Sequence, residues 1–224
     1  MFYKYLIRFD DGQEKIIDIR LDPSTLTIQP GQDGDFPDWT RLDCGKCSVC
    51  PFDGASRKYC PVALNLSGVM GMFFDKASTT MVDARVLTRE REYFKRTSLQ
   101  TALSSVIGIY MVTSGCPVME ILKPMVRHHL PFASLKETMH RSVSFYLMEQ
   151  YLLKKKGLEP DWELKKLNEA YKNIEVVNLA IVDRVRTFSV KDANYNALII
   201  LDVFAKMVPF SLGYNLPAKG TELS

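Results

Sequence analysis

Hydrophobic and polar side chains alternate along two runs at the start of the chain, residues 2–9 and 14–21. Alternation of this kind predicts half-buried β-strands. Asp11-Gly12 lies between the two runs and favours a two-residue type I′ turn, because both positions accept a positive φ. The sequence therefore predicts an N-terminal β-hairpin.

Pairing across a two-residue turn also predicts which side chains share a face of the hairpin. One face would carry Phe2, Leu6, Ile17, Ile19 and Leu21, and the other Tyr3, Tyr5, Ile7, Phe9 and Ile16. Because both sets are largely apolar, we expect both faces to be partly covered by the rest of the protein.

Shorter patterned stretches follow the hairpin. Residues 26–28 predict a short third strand at most, and the prolines and glycines of 30–43 predict a loop. Residues 61–74 are apolar enough for a short helix, although two glycines weaken it. The β-branched stretch 79–88 alternates in part, and it predicts a strand that returns to the sheet of the hairpin.

From Thr97 onward the hydrophobic period becomes helical. Thr97-x-x-Gln100 and Ser134-x-x-Glu137 both have the spacing of a capping box, in which the two side chains satisfy free N–H groups at a helix start. Each motif precedes a stretch with apolar residues three or four apart. The sequence therefore predicts one helix after each box.

Three further helices are predicted from their terminal signals. Cys116-Pro117 would start a short helix, because proline suits the first helical position. Pro160-Asp161 would cap a long helix whose apolar residues recur at alternating three- and four-residue spacing, as in a helical bundle. Residues 192–209 would form the last helix.

These patterns predict an α+β fold. A small antiparallel β-sheet, made of the hairpin and one or two more strands, would pack against a helical lobe of about four main helices. One domain would span residues 1–215, with a β-rich lobe over 1–96 and a helical lobe over 97–215. A Cys-rich loop over 44–60 would join the lobes, and 216–224 would form a loose tail.

Composition and charge exclude some classes of partner. The 224 residues are 46% hydrophobic and 25% charged, as expected for a globular protein that buries its own core. The 29 basic and 26 acidic side chains give a net charge of +3, which is too small to indicate nucleic acid or an anionic membrane surface. We therefore expect no membrane and no nucleic-acid partner.

The sequence also predicts a compartment. Residues 1–10 alternate and carry charge, so they lack the continuous apolar core of a signal peptide. No apolar run approaches the ~20 residues of a transmembrane helix. We expect a cytoplasmic protein, and the sequence names neither its partner nor its ligand.

The densest chemistry in the chain is the motif C-x2-C-x2-C-x9-C, formed by Cys44, Cys47, Cys50 and Cys60. With Cys116 the chain has five cysteines, an odd number, and no export signal. This favours reduced thiols or metal ligands over a disulfide framework. A C-x2-C pair lets two thiolates approach one metal, as in zinc sites and iron–sulfur loops.

Three interpretations of these cysteines stay open. Zinc would be bound by Cys47, Cys50 and Cys60, with Cys44 or Cys116 as the fourth ligand of a tetrahedron. A 4Fe-4S cluster would accept three closely spaced ligands more readily, but the nine-residue gap is longer than in ferredoxin loops. Without metal, the thiols would simply pack, although the polar loop offers them little core.

Few other residues carry a chemical signal. Cys116 lies at a predicted helix start, where the helix dipole would lower the pKa of the thiol, or where a small buried residue would simply fit. His128, His129 and His140 show no metalloprotease or deaminase spacing, and His140 is expected to be a hydrogen-bonded structural histidine. No nucleophile-elbow, Walker or Rossmann pattern is present.

Several segments together carry a resemblance: Cys47-x2-Cys50-Pro51-Phe52 followed by Cys60-Pro61-Val62-Ala63, Thr113-Ser114-Gly115-Cys116-Pro117, His129-Leu130-Pro131-Phe132-Ala133 and Asp192-Ala193-Asn194-x-Asn196-Ala197. They resemble a family of bacterial cytoplasmic proteins catalogued only as a domain of unknown function. The resemblance covers nearly the whole chain. It implies that Cys47, Cys50, Cys60 and Cys116 belong together, and it implies no activity, ligand or partner.

The leading functional hypothesis is a non-enzymatic, zinc-stabilised protein that acts by binding a partner or a ligand. It combines a plausible metal site with the absence of a recognisable catalytic set. One alternative is a redox protein with an iron–sulfur cluster at the same cysteines. The other is a thiol-based sensor that uses Cys116.

Overall fold

The computed structural model of the chain describes residues 1–28, 36–55 and 57–213, the last four of these by their backbone alone. Residues 30–35 of the predicted loop over 30–43 lie outside the described residues, as does the predicted tail over 216–224.

The sheet is antiparallel and has four strands in the described ranges. In chain order these are β1 (Phe2–Phe9), β2 (Glu14–Arg20), β3 (Met81–Leu87) and β4 (Glu92–Ser98). Their order across the sheet is β2-β1-β3-β4, so the N-terminal strand is central and β3 returns beside it. This sheet, combined with the helices described below, confirms the predicted α+β class.

The hairpin turn is one residue longer than predicted. The Phe9 N–H donates to the carbonyl of Gln13 (2.8 Å), and the Gly12 N–H donates to the carbonyl of Phe9 (3.1 Å). Gly12 has a φ of +85°, the left-handed conformation that glycine adopts without a Cβ clash. The loop is thus a three-residue turn with a glycine bulge rather than a type I′ turn.

The extra residue changes the faces of the hairpin. Tyr3 pairs with Ile19 and Tyr5 with Ile17, so these four side chains share the buried face with Ile7 and Phe9. The predicted division of side chains was wrong for β2, because a shift of one residue moves a whole strand's side chains to the other face. Phe2 and Ile16 lie on the exposed face.

The third and fourth strands differ in how visible they are in the sequence. The predicted strand over 79–88 is β3, whereas residues 26–28 contribute only one bridge, between Leu21 and Ile28. Strand β4 was missed because its sequence is mostly charged or polar and only Thr97 is buried in it. Charged side chains are typical of an edge strand, which must avoid pairing with other chains.

Six α-helices lie in the described residues: α1 (Pro61–Met72), α2 (Leu99–Val112), α3 (Lys123–Arg127), α4 (Leu135–Lys155), α5 (Lys165–Arg186) and α6 (Ala193–Gly213). The predicted capping box at α4 is present, with Ser134 and Glu137 bonded reciprocally. The box predicted at Thr97 is wrong. Thr97 stays in β4, and Ser98 precedes α2 without a side-chain cap.

The two lobes share one hydrophobic core. Helix α1 packs against α2, while α6 packs against both α2 and α5. The carboxylate of Asp192, just before α6, accepts hydrogen bonds from the N–H and the hydroxyl of Ser78 (both 2.7 Å), just before β3. These donors lower the pKa of Asp192. No helix within the described ranges is both long and apolar enough to cross a membrane.

Candidate functional site

The Cys-rich loop is closed at its base by backbone hydrogen bonds. The Leu42 N–H donates to the carbonyl of Lys58 (2.9 Å), and the Cys60 N–H donates to the carbonyl of Thr40 (2.8 Å). Trp39 is buried and stacks on Phe188 at a ring separation of 4.8 Å. These contacts bring the two ends of the motif together, although nine residues separate its last two cysteines.

The side chain of Arg184, on α5, binds the backbone at the start of the Cys-rich loop. Its guanidinium donates to four backbone carbonyls at the start of the loop and just before it: Trp39 (2.8 Å), Arg41 (2.5 Å), Leu42 (3.2 Å) and Gly45 (3.3 Å). The side chain is buried, with 3% of the residue exposed. No sequence motif predicted a role for Arg184. The signal was its position on the apolar stripe of α5, three residues after Ile181.

Four cysteines meet in one small cavity of about 20 Å³ between the loop and α5. Cys47, Cys50 and Cys60 come from the loop, and Cys116 comes from the turn after α2. Val177, Ala180, Ile181 and Arg184 of α5 also line it, together with Gly45, Phe52, Pro61 and Val62. Of the five cysteines, all of them described, only Cys44 does not line this cavity.

Cys116 does not begin a helix. Residues 117–119 form a turn, a 3₁₀ turn covers Glu120–Leu122, and α3 begins only at Lys123, with Pro124 in its first turn. The prediction of a helix start at Cys116 was therefore wrong, and the dipole argument no longer applies. Burial raises the pKa of the Cys116 thiol, and the N–H groups of Val118 and Met119 oppose that rise.

The thiols influence one another electrostatically. Burial raises the pKa of Cys47 to about 11, and the neighbouring Cys50, Cys60 and Cys116 add to the rise. Four thiols this close resist ionising together unless a cation compensates them. The same cation, if bound, would deprotonate them.

The donor set fits a metal in kind and number, but not yet in spacing. Among the described residues, no group of three or more His, Cys, Asp or Glu side chains is arranged closely enough to hold a metal ion. Neutral thiols pack at van der Waals separation, whereas zinc holds each sulfur at ~2.3 Å. The cavity of about 20 Å³ has room for one water-sized object. To ligate one ion, the sulfurs of Cys47, Cys50, Cys60 and Cys116 would have to lie closer together than they do in this structure.

A much larger cavity lies inside the helical lobe. It has a volume of about 290 Å³ and is bounded by α2, α3, α4, α5 and α6. Most of its wall is apolar: Ile109, Met111, Val112, Met119, Leu122, Met125, Val126, Leu130, Phe132, Ile174, Ile200, Leu201 and Phe204. No local sequence pattern predicts this cavity, because five separate helices contribute to it.

Three polar groups form a compact network beside this cavity. The Tyr5 hydroxyl lies 2.9 Å from Ser105 Oγ and 2.7 Å from His129 Nε2, and Ser105 Oγ lies 3.2 Å from the same nitrogen. The ring of His129 packs between Tyr3 and Tyr5. Burial, with the nearby Arg141 cation, lowers the pKa of His129 to about 3. The imidazole is therefore neutral near pH 7.

Arg141 is the charged residue of the cavity wall. Its Nη2 donates to the carbonyls of Met125 (2.8 Å) and His128 (2.9 Å). Burial lowers the pKa of Arg141, and no acidic side chain in the described ranges forms an ion pair with it. Glu137, one helical turn earlier, is used by the capping box of α4.

The Ser105 and His129 pair has the residue types of a nucleophile and its base, but the imidazole is a weak base. A base with a pKa of about 3 takes up a proton poorly near neutral pH. Tyr5 also occupies the imidazole nitrogen that a serine would need. His140, the expected structural histidine, is exposed on α4, so that prediction was wrong and His129 has this role instead.

The fold and its two sites define an α+β protein with a thiol-lined junction between its lobes and an apolar cavity in the helical lobe. The chain belongs to the family described as a domain of unknown function (DUF6901), whose model matches residues 1–218. This confirms the resemblance carried by the four quoted groups of residues. No curated protein and no solved structure matches the chain at a significant level.

Proposed function

We propose that this protein is a non-enzymatic, zinc-stabilised binding protein whose ligand occupies the cavity of the helical lobe. The observation that carries the proposal is the cavity itself, with its volume of about 290 Å³, its apolar wall and its few polar groups. Small-molecule sites have this character, with typical volumes of roughly 300–1,000 Å³.

Charge supports zinc at the thiol cavity. Arg184 is buried beside the four cysteines, and its carbonyl partners satisfy its N–H groups without neutralising its charge. Within the described residues no carboxylate forms an ion pair with it. Four thiolates around one Zn²⁺ carry two net negative charges, which would compensate a buried cation. Four protonated thiols would not.

Space favours zinc over the iron–sulfur alternative. The thiol cavity of about 20 Å³ suits a single ion, whereas four irons and four sulfides would have to push the loop away from α5. That movement would break the hydrogen bonds from Arg184 to the loop carbonyls. The loop would therefore resist the larger group.

Metal analysis of protein purified without oxygen tests the zinc assignment. We expect a colourless protein with one zinc per chain, lost in Cys116→Ser and kept in Cys44→Ser. The matched pair separates a cavity ligand from a loop cysteine outside it. Brown protein with iron and sulfide would overturn zinc in favour of the cluster, and metal-free protein would leave only packed thiols.

A neutral fluorescent probe tests the binding function. N-phenyl-1-naphthylamine should brighten on entering the cavity, and Gly108→Leu should abolish this by filling it. A Cβ at Gly108 would lie 3.8 Å from the side chain of Leu201, an ordinary contact, so the first atom of the new side chain fits without a clash. Gly68→Leu in α1 is the matched control, because nothing lies within 4 Å of a Cβ there. Equal probe binding by both variants would contradict the assignment of the cavity.

A further inference from the structure

We propose that the ligand is an apolar molecule bearing one carboxylate, with the carboxylate held by Arg141 and the apolar body in the cavity. This inference rests on the proposed function, because it names the chemical class that the same cavity selects. It depends on three separate features: the free donors of Arg141, the absence of acidic groups from the wall, and the composition of the remaining surface.

The guanidinium of Arg141 is oriented but not fully used. Its Nη2 is fixed by the carbonyls of Met125 and His128, which connect α4 to the end of α3. Its Nε and Nη1 make no hydrogen bond to any residue in the described ranges. Those two nitrogens therefore remain as donors, and a positioned guanidinium binds a carboxylate with little further loss of side-chain entropy.

The wall offers no competing acid. Among the described residues that line the cavity there is no Asp and no Glu, so Arg141 is its charged group. His129 stays neutral beside it because burial lowers the pKa of the imidazole. A partly buried cation without a carboxylate attracts an anion that enters from solvent. One guanidinium balances one carboxylate, whereas a phosphate dianion would leave a buried negative charge.

The rest of the wall suits an acyl chain or another hydrocarbon body. Aliphatic and aromatic side chains surround the cavity, and three methionines, Met111, Met119 and Met125, add adaptable surface. Hydroxyls of Thr101, Ser104, Ser105 and Thr138 also line it. They add no charge to the wall. The ligand class is thus amphipathic, with one small polar head.

Displacement of the neutral probe by decanoate and by decanol tests this class. The two molecules share a chain length and differ in the head, so their ratio isolates the carboxylate. We expect decanoate to displace the probe roughly 10- to 100-fold better, the ratio that a charge-assisted hydrogen bond gives. Arg141→Gln should remove the preference and leave decanol unchanged, and Arg141→Lys should keep part of it.

The outcomes separate this inference from the proposed function. Equal displacement by acid and alcohol in the unaltered protein would overturn the inference while the cavity remained a binding site. Tighter binding of decyl phosphate than of decanoate would also overturn it. A probe that never binds would overturn the proposed function itself. Because the first comparison uses the unaltered chain, a variant that fails to fold does not affect it.

Discussion

Two arginines point inward from neighbouring helices, and they differ in how completely their donors are used. Arg184 on α5 gives its guanidinium to four backbone carbonyls and is almost fully buried. Arg141 on α4 gives one nitrogen to two carbonyls, and its other nitrogens make no hydrogen bond to any residue that the structure describes. A guanidinium whose three nitrogens all donate to the backbone holds segments together. A guanidinium with nitrogens that make no such bond remains available to a ligand. Arg184 thus joins two parts of the chain, whereas Arg141 lines the cavity of the proposed ligand.

The two arginines should differ most in how much each contributes to the free energy of unfolding. Arg184→Met should lower the free energy of unfolding by about 3–5 kcal/mol, because it leaves several buried carbonyls without donors. Arg141→Met should cost only about 1–2 kcal/mol. Urea denaturation measures both. Arg186→Met, on the exposed side of α5, is the control and should cost under about 0.5 kcal/mol. Equal losses for Arg184 and Arg186 would contradict the structural role.

The two arginines should also differ in their effect on zinc affinity. If Arg184 compensates the charge of a zinc–thiolate centre, Arg184→Gln should weaken zinc binding by roughly 10- to 100-fold, as loss of a neighbouring group typically does. Arg141→Gln should leave zinc affinity unchanged, because it lines the other cavity. Competition with a chromophoric chelator gives both values. An unchanged affinity in Arg184→Gln would remove the charge argument for zinc.

Acid should lower the free energy of unfolding through protonation of His129, beside the large cavity. The pKa of His129 is about 3 when folded and near 6.5 when unfolded, so the unfolded chain binds the extra proton between these values. The contribution is complete above pH 6.5 and is lost as pH falls toward 3. From pH 7 to 5 the loss should be roughly 2 kcal/mol.

Denaturant titrations at the two pH values measure this loss. His129→Gln should remove most of the dependence, because the titrating ring is gone. His128→Gln is the adjacent control, since His128 is exposed. A dependence that persists unchanged in His129→Gln would place the responsible group elsewhere.

The smallest effect concerns the cavity wall alone. Gly108→Ala should stabilise α2 by about 0.5–1 kcal/mol, because alanine is the better helix former and its Cβ meets only Leu201 at 3.8 Å. Gly68→Ala in α1 should give a similar gain at an open surface. Thermal melts compare the two. Only Gly108→Ala should also narrow the cavity and weaken binding of the longest acids.

Local signals predicted much of the fold. The hairpin, the helix after Cys60 and the capping box at Ser134 all depend on residues within a few positions of each other. The predicted faces of β2 were wrong because the turn, which ends at Gly12, has one residue more than predicted. That residue shifts the register of the two strands. Strand β4 was not predicted, because an edge strand carries little hydrophobic pattern.

The candidate sites were less predictable, because their contacts cross the whole chain. The five cysteines were visible as a composition signal, and the resemblance grouped Cys116 with the loop. The Tyr5, Ser105 and His129 network joins residues that are 100 and 124 positions apart, so no local pattern contains it. Arg184 likewise reaches 145 positions back to Trp39. Only the folded chain brings these groups together.

That separation has a consequence in time. A ribosome adds roughly 5–20 residues per second, so the 145 positions between Trp39 and Arg184 take roughly 7–29 s to synthesise. Until α5 emerges, the loop lacks the guanidinium that holds its carbonyls. The segment around Trp39 therefore acquires its hydrogen bonds from Arg184 only after α5 has been synthesised.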